Sequence, residues 1–436
     1  MTHSLSVVLT TIVTAVFAAL VVPQVALTLW FGWIVRRRTR GFHHRNNARS
    51  VSATVPAEVI LCLRDCDATL DDVFAALAGQ SHQPWRLRVV VDSVDDAAWP
   101  VAQAAISRLE AEAASWQEHT IEPLACRPDR GSLKCASLRQ ALRSLHPETR
   151  IVALIDADSV VHPDWLLTMV DECLQPGIGA VSGNRWYDPH HDTPAAVVRA
   201  IWNAGAIVQM TTFGIPWGGS LAVRREAIDD CRWADVIETT LCEDTALATP
   251  LAETGWAYRF VPALVAVDHD DDIAFGPLIR WITRQLLTAR LHHPAWPLVA
   301  THGIATSLGL VTAVAGCVWG WLTGHSATAM LFAGFVVAYE CANLCLLIAV
   351  AKAVRTAISD RKALRQPLTP RRCLVWFALI PVTQAIYGLA IARSMATRWI
   401  EWRGVIYGVH GSPPTAEVRI LQPSLVKPIP TPTPAH

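Results

Sequence analysis

The sequence lacks net charge, since 37 Lys and Arg residues balance 37 Asp and Glu residues over 436 positions. Its bulk electrostatics therefore give no reason to expect a nucleic acid partner. The 11 cysteines are scattered, without a Cys-x-x-Cys pair or zinc-ligand spacing, which disfavours a structural zinc site. We expect them to be reduced thiols that behave as small apolar residues.

Charged residues are also scarce, at 17%, whereas 52% of the residues are hydrophobic. Residues 5–35 are almost wholly apolar, with Gln24 as the only strongly polar residue, and this run is long enough to span a bilayer. The run is too long for a signal peptide and the first four residues contain no Lys or Arg, which favours a transmembrane anchor. Arginines open the basic linker at residues 36–56, so this end is expected in the cytoplasm.

A second hydrophobic block covers residues 297–396 and predicts two or three helices. The runs Leu298–Leu322 and Ala327–Ala351 would form a hairpin, followed by a basic loop that we expect to be cytoplasmic. Cys373–Ala392 either spans the membrane or lies at its interface. Glu340 falls inside the second run, where it is either functional or a sign that this helix does not cross as drawn.

These segments are typical of a multi-pass protein of the inner or plasma membrane, with its middle domain in the cytoplasm. The remaining C-terminal segment, residues 411–436, is rich in proline. We expect this tail to be extended or disordered.

Residues 57–272 predict an α/β domain between the membrane blocks. Apolar strand patterns at Glu58–Leu63, Leu87–Val91 and Ile151–Ile155 alternate with helical patterns. This alternation is typical of a Rossmann-like, mostly parallel sheet with helices on its faces. Such sheets bind ligands beyond the carboxyl ends of their strands.

Three carboxylates stand at these strand ends. Asp92 follows one strand, and Asp156 and Asp158 follow another. Two carboxylates two residues apart could bind Mg²⁺ or Mn²⁺ together with a substrate diphosphate, because these ions prefer oxygen ligands and usually keep water or phosphate ligands. Alternatively, Asp156 and Asp158 only cap a turn before a helix.

Two further motifs are candidates for ligand binding. Lys134 lies near the start of a helix, where it would offset a phosphate charge or remain a solvated surface lysine. Gly218 and Gly219, followed by Ser220, allow a close backbone approach to a ligand, or form a tight structural turn.

Glu243 and Asp244 precede a helix, where Asp244 would act as a general base or both would simply cap the helix. An amphipathic helix at residues 273–292 leads into the second membrane block. Its Arg280 and Arg284 share one face, with Gln285 beside them. Such a helix is typical of the membrane interface, where arginines meet substrate phosphates or anionic lipid head groups.

Taken in order, these motifs resemble the family 2 glycosyltransferases with a GT-A catalytic domain, over about residues 55–292. The sequence is most similar to the membrane-anchored branch that includes ceramide glucosyltransferases and hopanoid-associated bacterial enzymes. The resemblance implies that Asp92 lies near the nucleotide and that Asp156 and Asp158 bind the metal and the sugar diphosphate. It places Lys134 at the lysine of a family helix and Gly218, Gly219 and Ser220 at an acceptor-side loop. It also implies that Asp244, in the pair with Glu243, is the catalytic base.

The sequence departs from the family at its last motif, Gln or Arg, two residues, then Arg-Trp. Arg280 and Trp281 are present, but Pro277 occupies the position three before Arg280. In an alternative register, Arg284 and Gln285 take this role. Either arginine could therefore meet the diphosphate.

The resemblance implies a membrane-bound, inverting enzyme that moves a sugar from a nucleotide-sugar, favouring UDP, to a lipid hydroxyl. The acceptor would be ceramide-like, a hopanoid or another membrane lipid. A processive polysaccharide synthase is an alternative, although it would need more spanning helices and usually the intact last motif. A non-catalytic membrane scaffold with the same fold is a second alternative.

Overall fold

The computed structural model describes residues 2–45, 54–112, 114–358, 364, 367–411 and 416–423. Residues 46–53 of the expected linker and most of the proline-rich tail lie outside these residues, while residues 36–45 of that linker belong to the first helix. The described chain comprises an α/β domain, a group of long apolar helices and a small C-terminal sheet.

A seven-stranded sheet forms the centre of the α/β domain, in the order β3-β2-β1-β4-β7-β5-β8. Strands β1 to β4 run parallel to one another, as do β5 and β8, and β7 is antiparallel to both of its neighbours, β4 and β5. The predicted α/β class with a mostly parallel sheet is therefore confirmed. The strands are β1 (Ala57–Leu63), β2 (Trp85–Val91), β3 (Glu118–Pro123), β4 (Ile151–Ile155), β5 (Ile178–Ser182), β7 (Ser220–Arg224) and β8 (Ala257–Phe260).

The central strands are buried along their whole length, as their continuous apolar runs predict. All five residues of β4 are buried. In β1, successive residues point to opposite faces of the sheet. Val59 and Leu61 join one hydrophobic core and Ile60 joins the other, because successive strand side chains point to opposite faces. Helices cover both faces: α2 (Leu70–Ala78), α3 (Ala98–Ala111), α4 (Leu133–Arg143), α5 (Trp165–Cys173), α6 (Pro194–Phe213), α7 (Arg225–Asp230), α8 (Trp233–Val236) and α9 (Ala248–Glu253).

Two short strands and several 3-10 turns also belong to the α/β domain. Strands β6 (Arg185–Tyr187) and β9 (Ala266–Asp268) pair in parallel, outside the main sheet. Three 3-10 turns, at Ile237–Thr239, Thr245–Leu247 and Pro262–Leu264, connect strands and helices. The expected helix at Thr245–Glu253 is thus a 3-10 turn followed by α9.

In the part of the chain that the structure describes, four helices are long and apolar enough to cross a membrane. They are α1 (Thr2–Arg45), α11 (Trp296–Leu322), α12 (Ser326–Ala357) and α13 (Pro370–Ala396). Helix α10 (Phe275–His292) lies directly before α11 in the chain. Helix α1 continues ten residues beyond the apolar run, through the arginines, because residues 36–45 contain no proline and only one glycine.

Helix α13 begins and ends against the α/β domain. At its start, Arg372 forms an ion pair of 3.1 Å with Asp188. At its end, Arg290 of α10 donates to the carbonyl oxygen of Met395 at 2.7 Å. Both termini therefore lie on the side of the membrane block that faces the α/β domain.

A three-stranded antiparallel sheet follows α13, with strands β10 (Trp399–Trp402), β11 (Val405–His410) and β12 (Glu417–Pro423). The last strand lies in the segment expected to be extended or disordered. Its backbone bonds to the α/β domain, where the Gly131 amide donates to the carbonyl oxygen of Val418 at 2.7 Å. The chain thus returns to the α/β domain after the membrane block.

Candidate active site

The candidate site lies at the carboxyl ends of β2 and β4, where a cavity of about 420 Å³ opens. Asp92 follows β2, while Asp156 and Asp158 follow β4. All three line the cavity, as do Lys134 at the start of α4 and Asp244. The structure therefore brings these five predicted residues to one wall.

Two cations hold the carboxylates that follow β4. Lys134 Nζ lies 2.7 Å from Asp156 Oδ1, and Arg185 binds both oxygens of Asp158, at 2.6 and 2.8 Å. Arg185 outweighs the effect of burial and lowers the pKa of Asp158 to about 2. Asp158 therefore remains an anion throughout the physiological pH range.

Lys134 bridges two motifs that are far apart in sequence. Its Nζ also lies 2.7 Å from Glu243 Oε1. Burial alone would lower the pKa of Lys134, but the carboxylates of Asp156 and Glu243 raise it well above its usual value. Lys134 is therefore a partly buried cation of the site, which rules out the solvated surface lysine considered above.

Asp92 is held by two arginines that the sequence motifs do not include. Arg127 lies 2.6 Å from Asp92 Oδ2, and Arg64 contacts the same oxygen. Asp92 itself is buried. Arg64 lines the cavity beside Asp92, so this corner carries positive charge toward a ligand.

The glycine pair brings the backbone close to the acidic residues. The Gly218 amide donates to Asp244 Oδ2 at 2.7 Å. A Cβ atom at Gly218 would lie 2.3 Å from Glu243 Oε1, and one at Gly219 would lie 2.6 Å from Asp156 Oδ2. Only glycine fits at both positions.

Ser220 does not face the cavity. Its side chain is fully buried, accepts a hydrogen bond from Trp165 Nε1 at 2.9 Å and donates to the carbonyl oxygen of Leu264 at 3.1 Å. These bonds join β7 to α5 and to the neighbouring loop. Its observed contacts are thus structural.

Asp244 and Glu243 occupy different positions despite being adjacent. Asp244 lines the cavity, and its Oδ1 accepts hydrogen bonds from the Thr245 amide at 2.5 Å and from Cys242 Sγ at 2.9 Å. Glu243 is fully buried behind the wall. Burial raises the pKa of Glu243, and Lys134 opposes this shift. Asp244 is the carboxylate that an acceptor can reach.

Helix α10 presents the second of its two candidate arginines to the cavity. Arg284, Trp281 and Gln285 line it, whereas the Arg280 side chain is exposed to solvent. No ion pair or hydrogen bond to Arg284 occurs among the described residues, and burial lowers its pKa. The geometry therefore favours the register in which Arg284 and Gln285 face a ligand.

The donor atoms fit a divalent cation. Asp156 and Asp158 offer only carboxylate oxygens and are partly accessible from the cavity, with side chains 27% and 39% exposed. Among the described residues, no cluster of three or more His, Cys, Asp or Glu could hold a metal. The pair therefore suits Mg²⁺ or Mn²⁺ completed by water and phosphate oxygens, rather than a closed protein cage.

The cavity also extends between the apolar helices, away from the charged wall. Neutral polar side chains lie among the apolar residues there. Gln24 of α1 and Gln384 of α13 donate to the hydroxyl of Tyr339 of α12, at 3.2 and 3.4 Å. This membrane end is lined by residues from five helices, including Leu27, Gly205, His302, Leu347, Gln384 and Tyr387.

Glu340 lies outside this lining. Its side chain is buried beside Tyr339, and neither carboxylate oxygen has a hydrogen-bond partner among the described residues. The structure thus places it within α12 and not in the cavity that reaches the site.

Sequence motifs missed several cavity residues. Arg64 and Arg185 belong to no motif, and Trp402, Arg403 and Tyr407 come from the C-terminal sheet. The sequence gives little indication of these residues, because they reach the cavity only through contacts between segments that are far apart in the chain.

Two family models match the chain. Residues 58–232 match the model described as glycosyl transferase family 2, and residues 151–351 match the one described as glycosyl transferase family group 2. Together these ranges include Asp92, Asp156, Asp158, Asp244 and Arg284. The match to these glycosyltransferase models disfavours the alternative that the chain is a non-catalytic membrane scaffold. No curated protein matches the chain in sequence.

Several solved structures are similar to the chain. A mannosyltransferase, PcManGT from Pyrobaculum calidifontis, in complex with GDP-Man and Mn²⁺, is 17% identical, covering 88% of this chain and 99% of its own, with a TM-score of 0.43. Glucosyl-3-phosphoglycerate synthase from Mycobacterium tuberculosis, with Mn²⁺ and UDP-glucose, is 16% identical over 56% of this chain and 80% of its own, with a TM-score of 0.35. TarS from S. aureus is 12% identical over 84% and 60%, also with a TM-score of 0.35.

Proposed function

We propose that this chain, a glycosyltransferase with a family 2 domain of GT-A type, moves a sugar from a nucleotide-sugar donor to the hydroxyl of a membrane lipid. The observation that carries the proposal is the single cavity that joins the charged wall to the space between the apolar helices. A water-soluble donor fits the charged end, and a lipid fits the other. The motif resemblance favours UDP as the nucleotide and a ceramide-like lipid or a hopanoid as the acceptor.

Positive charges around the cavity suit the donor diphosphate. Arg284 has no anionic partner among the described residues, although it lies in a partly buried site. Placing a phosphate beside such a guanidinium gives a charge-assisted hydrogen bond that replaces the lost hydration. Lys134 is the second candidate, at the start of α4.

Asp156 and Asp158 would hold Mg²⁺ or Mn²⁺, which when bound would stabilise the negative charge of the leaving nucleotide diphosphate. The ion pair with Arg185 keeps the Asp158 carboxylate ionised and therefore ready to bind a cation. Asp92, held by Arg64 and Arg127, would lie on the nucleotide side.

Asp244 is the proposed base. The amides of Gly218 and Thr245 bind its two oxygens and fix its orientation. The carboxylate would take the proton of the acceptor hydroxyl while that oxygen forms a bond to the anomeric carbon and the bond to the diphosphate breaks. Attack from the face opposite the leaving group inverts the configuration of the sugar.

The membrane arrangement supports a non-processive enzyme with a cytoplasmic catalytic domain. Helix α13 contacts the α/β domain at its start and helix α10 at its end, which supports the interfacial or re-entrant alternative and a C-terminal sheet on the catalytic side. Helices α1, α11 and α12 would then be the spanning ones. Basic residues at the end of α1 and after α12 favour a cytoplasmic position for that side.

The test uses sealed membrane vesicles of both orientations, a panel of labelled UDP- and GDP-sugars, and mass spectrometry of the labelled product. We expect one labelled lipid carrying a single sugar, formed only when the cytoplasmic face is outside, and lost when divalent cations are chelated. A long polymer would instead identify a processive synthase. A water-soluble product, or label transfer in the opposite orientation, would refute the lipid acceptor or the cytoplasmic placement.

A further inference from the structure

The C-terminal sheet packs against the donor end of the cavity. Tyr407 Oη accepts a hydrogen bond from the Leu133 amide at 3.3 Å, directly beside Lys134. Tyr407, with Ile400, Val405 and Val418, shares a hydrophobic core with Leu133. This packing fixes the sheet to the start of α4, where the proposed diphosphate site lies.

Trp402 of this sheet contacts the arginine proposed for the diphosphate. The guanidinium of Arg284 lies over the Trp402 ring, 4.7 Å from its centroid. An arginine stacked on an indole keeps its hydrogen-bonding edge free for a ligand. Trp402 therefore orients Arg284 without neutralising it.

Arg403 lies at the tip of the hairpin between β10 and β11. It has a φ of 50° and is followed by Gly404 with a φ of 69°, a turn in which asparagine and glycine are favoured over arginine. The guanidinium of Arg403 binds both oxygens of Asp67, at 2.7 and 3.0 Å. An arginine in this disfavoured backbone conformation points to a requirement other than the turn itself.

Arg403 is also joined to the nucleotide side of the cavity. Arg64 Nε donates to the carbonyl oxygen of Arg403 at 2.7 Å, and the Arg64 guanidinium contacts Asp92. The hairpin tip thus fixes Arg64, which in turn holds Asp92. Both Arg403 and Arg64 line the cavity.

From these contacts we infer that the sheet formed by strands β10, β11 and β12 is a wall of the donor site, which binds the diphosphate of the nucleotide-sugar. This inference rests on the proposed function. Trp402 is a positioning residue for Arg284, and Arg403 adds positive charge and positions Arg64. The donor site is therefore complete only when the chain has passed through the membrane block and returned.

The test compares two tryptophans of the same short strand in the full-length protein. Trp402→Leu removes the ring beneath Arg284, whereas Trp399→Leu changes a side chain that is 60% exposed. Binding of UDP and of GDP, each with Mn²⁺, is measured by calorimetry. We expect Trp402→Leu to weaken binding of the preferred diphosphate about tenfold, Trp402→Phe to restore most of it, and Trp399→Leu to bind like the unchanged protein.

Arg403→Asn separates the role of the charge from that of the turn. Asparagine suits a positive φ, so the melting temperature should stay the same or rise, while the KM for the donor rises about fivefold and kcat changes little. If Trp402→Leu and Arg403→Asn bind the diphosphate normally, the sheet is not part of the donor site. If the unchanged protein binds neither UDP nor GDP, the proposed function itself fails.

Discussion

The two ends of the cavity are lined by side chains of opposite chemistry. At the donor end, buried charges form ion pairs, such as Lys134 with Asp156 and Glu243. At the membrane end, neutral groups bond to one another, as Gln24 and Gln384 do with Tyr339. Ionised groups are costly inside a bilayer, whereas a diphosphate needs them. Under the proposed function each end would bind one substrate, so separate substitutions should disturb donor and acceptor independently.

The largest effect should come from Asp244→Asn, at the point where the two ends meet. An amide cannot accept the hydroxyl proton, so transfer should fall about 10³-fold, within the usual range for loss of a general base. The measurement is the initial rate of lipid glycosylation. Nucleotide diphosphate binding should remain, because the proposed role of Asp244 is toward the acceptor and not the diphosphate.

Glu253→Gln, an exposed carboxylate on α9, is the matched control and should leave the rate unchanged. Near-normal transfer by Asp244→Asn would show that another group takes the proton. Loss of nucleotide binding together with transfer would instead indicate a damaged fold.

The donor end should also be the more sensitive to acid. The neutral His292 ring, at the end of α10, accepts a hydrogen bond from the Leu241 amide at 3.1 Å, three residues before Asp244. Burial lowers the pKa of His292 from 6.5 to about 4. Because the folded pKa lies below the unfolded one, the contribution to stability is complete above pH 6.5 and is lost as the pH falls toward 4. The loss should reach about 2 kcal/mol by pH 5.

Thermal unfolding followed between pH 7.5 and 5 tests this expectation. In His292→Gln, the side-chain carbonyl can still accept from Leu241 but does not titrate. Its melting temperature should therefore depend less on pH than that of the unchanged protein. An equal dependence in both proteins would assign the acid sensitivity to other groups.

The donor end could be predicted in part because its signals are local in sequence. The strand Ile151–Ile155 runs directly into Asp156 and Asp158, so the strand pattern alone places both carboxylates at a sheet edge. The amphipathic pattern of α10 likewise limited the candidates for the diphosphate-binding arginine to Arg280 and Arg284. Choosing between them required knowing which face of α10 meets the cavity, and that depends on packing.

The contacts that complete the site were not predictable from local patterns. Arg64 and Arg403 are 339 residues apart, and a hydrogen bond joins them. Arg185 reaches Asp158 from a strand of three residues that is too short to give a periodic signal. The C-terminal sheet was missed because two of its strands directly follow a hydrophobic helix and the third lies inside a proline-rich segment, and the composition of these segments dominates the pattern.

The substitution Gly205→Leu should narrow the membrane end of the cavity and leave the donor end unchanged. Gly205 lines the cavity on α6, and a Cβ atom there would meet no other atom within 4 Å. A leucine side chain would therefore project into the cavity without displacing the backbone, and it also favours the helix. We expect the KM for the lipid acceptor to rise about tenfold, the cost of a lost hydrophobic contact of one side chain.

Gly334→Leu provides the control, because Gly334 also lies on a helix, has open space around it and does not line the cavity. It should leave both substrates unaffected. Hydrolysis of the donor by water should be equal in all three proteins, since that reaction does not need the membrane end. If Gly205→Leu left the KM for the lipid unchanged while Gly334→Leu raised it, the acceptor would approach Asp244 by another path, and the neutral polar groups around Tyr339 would serve only to join the helices.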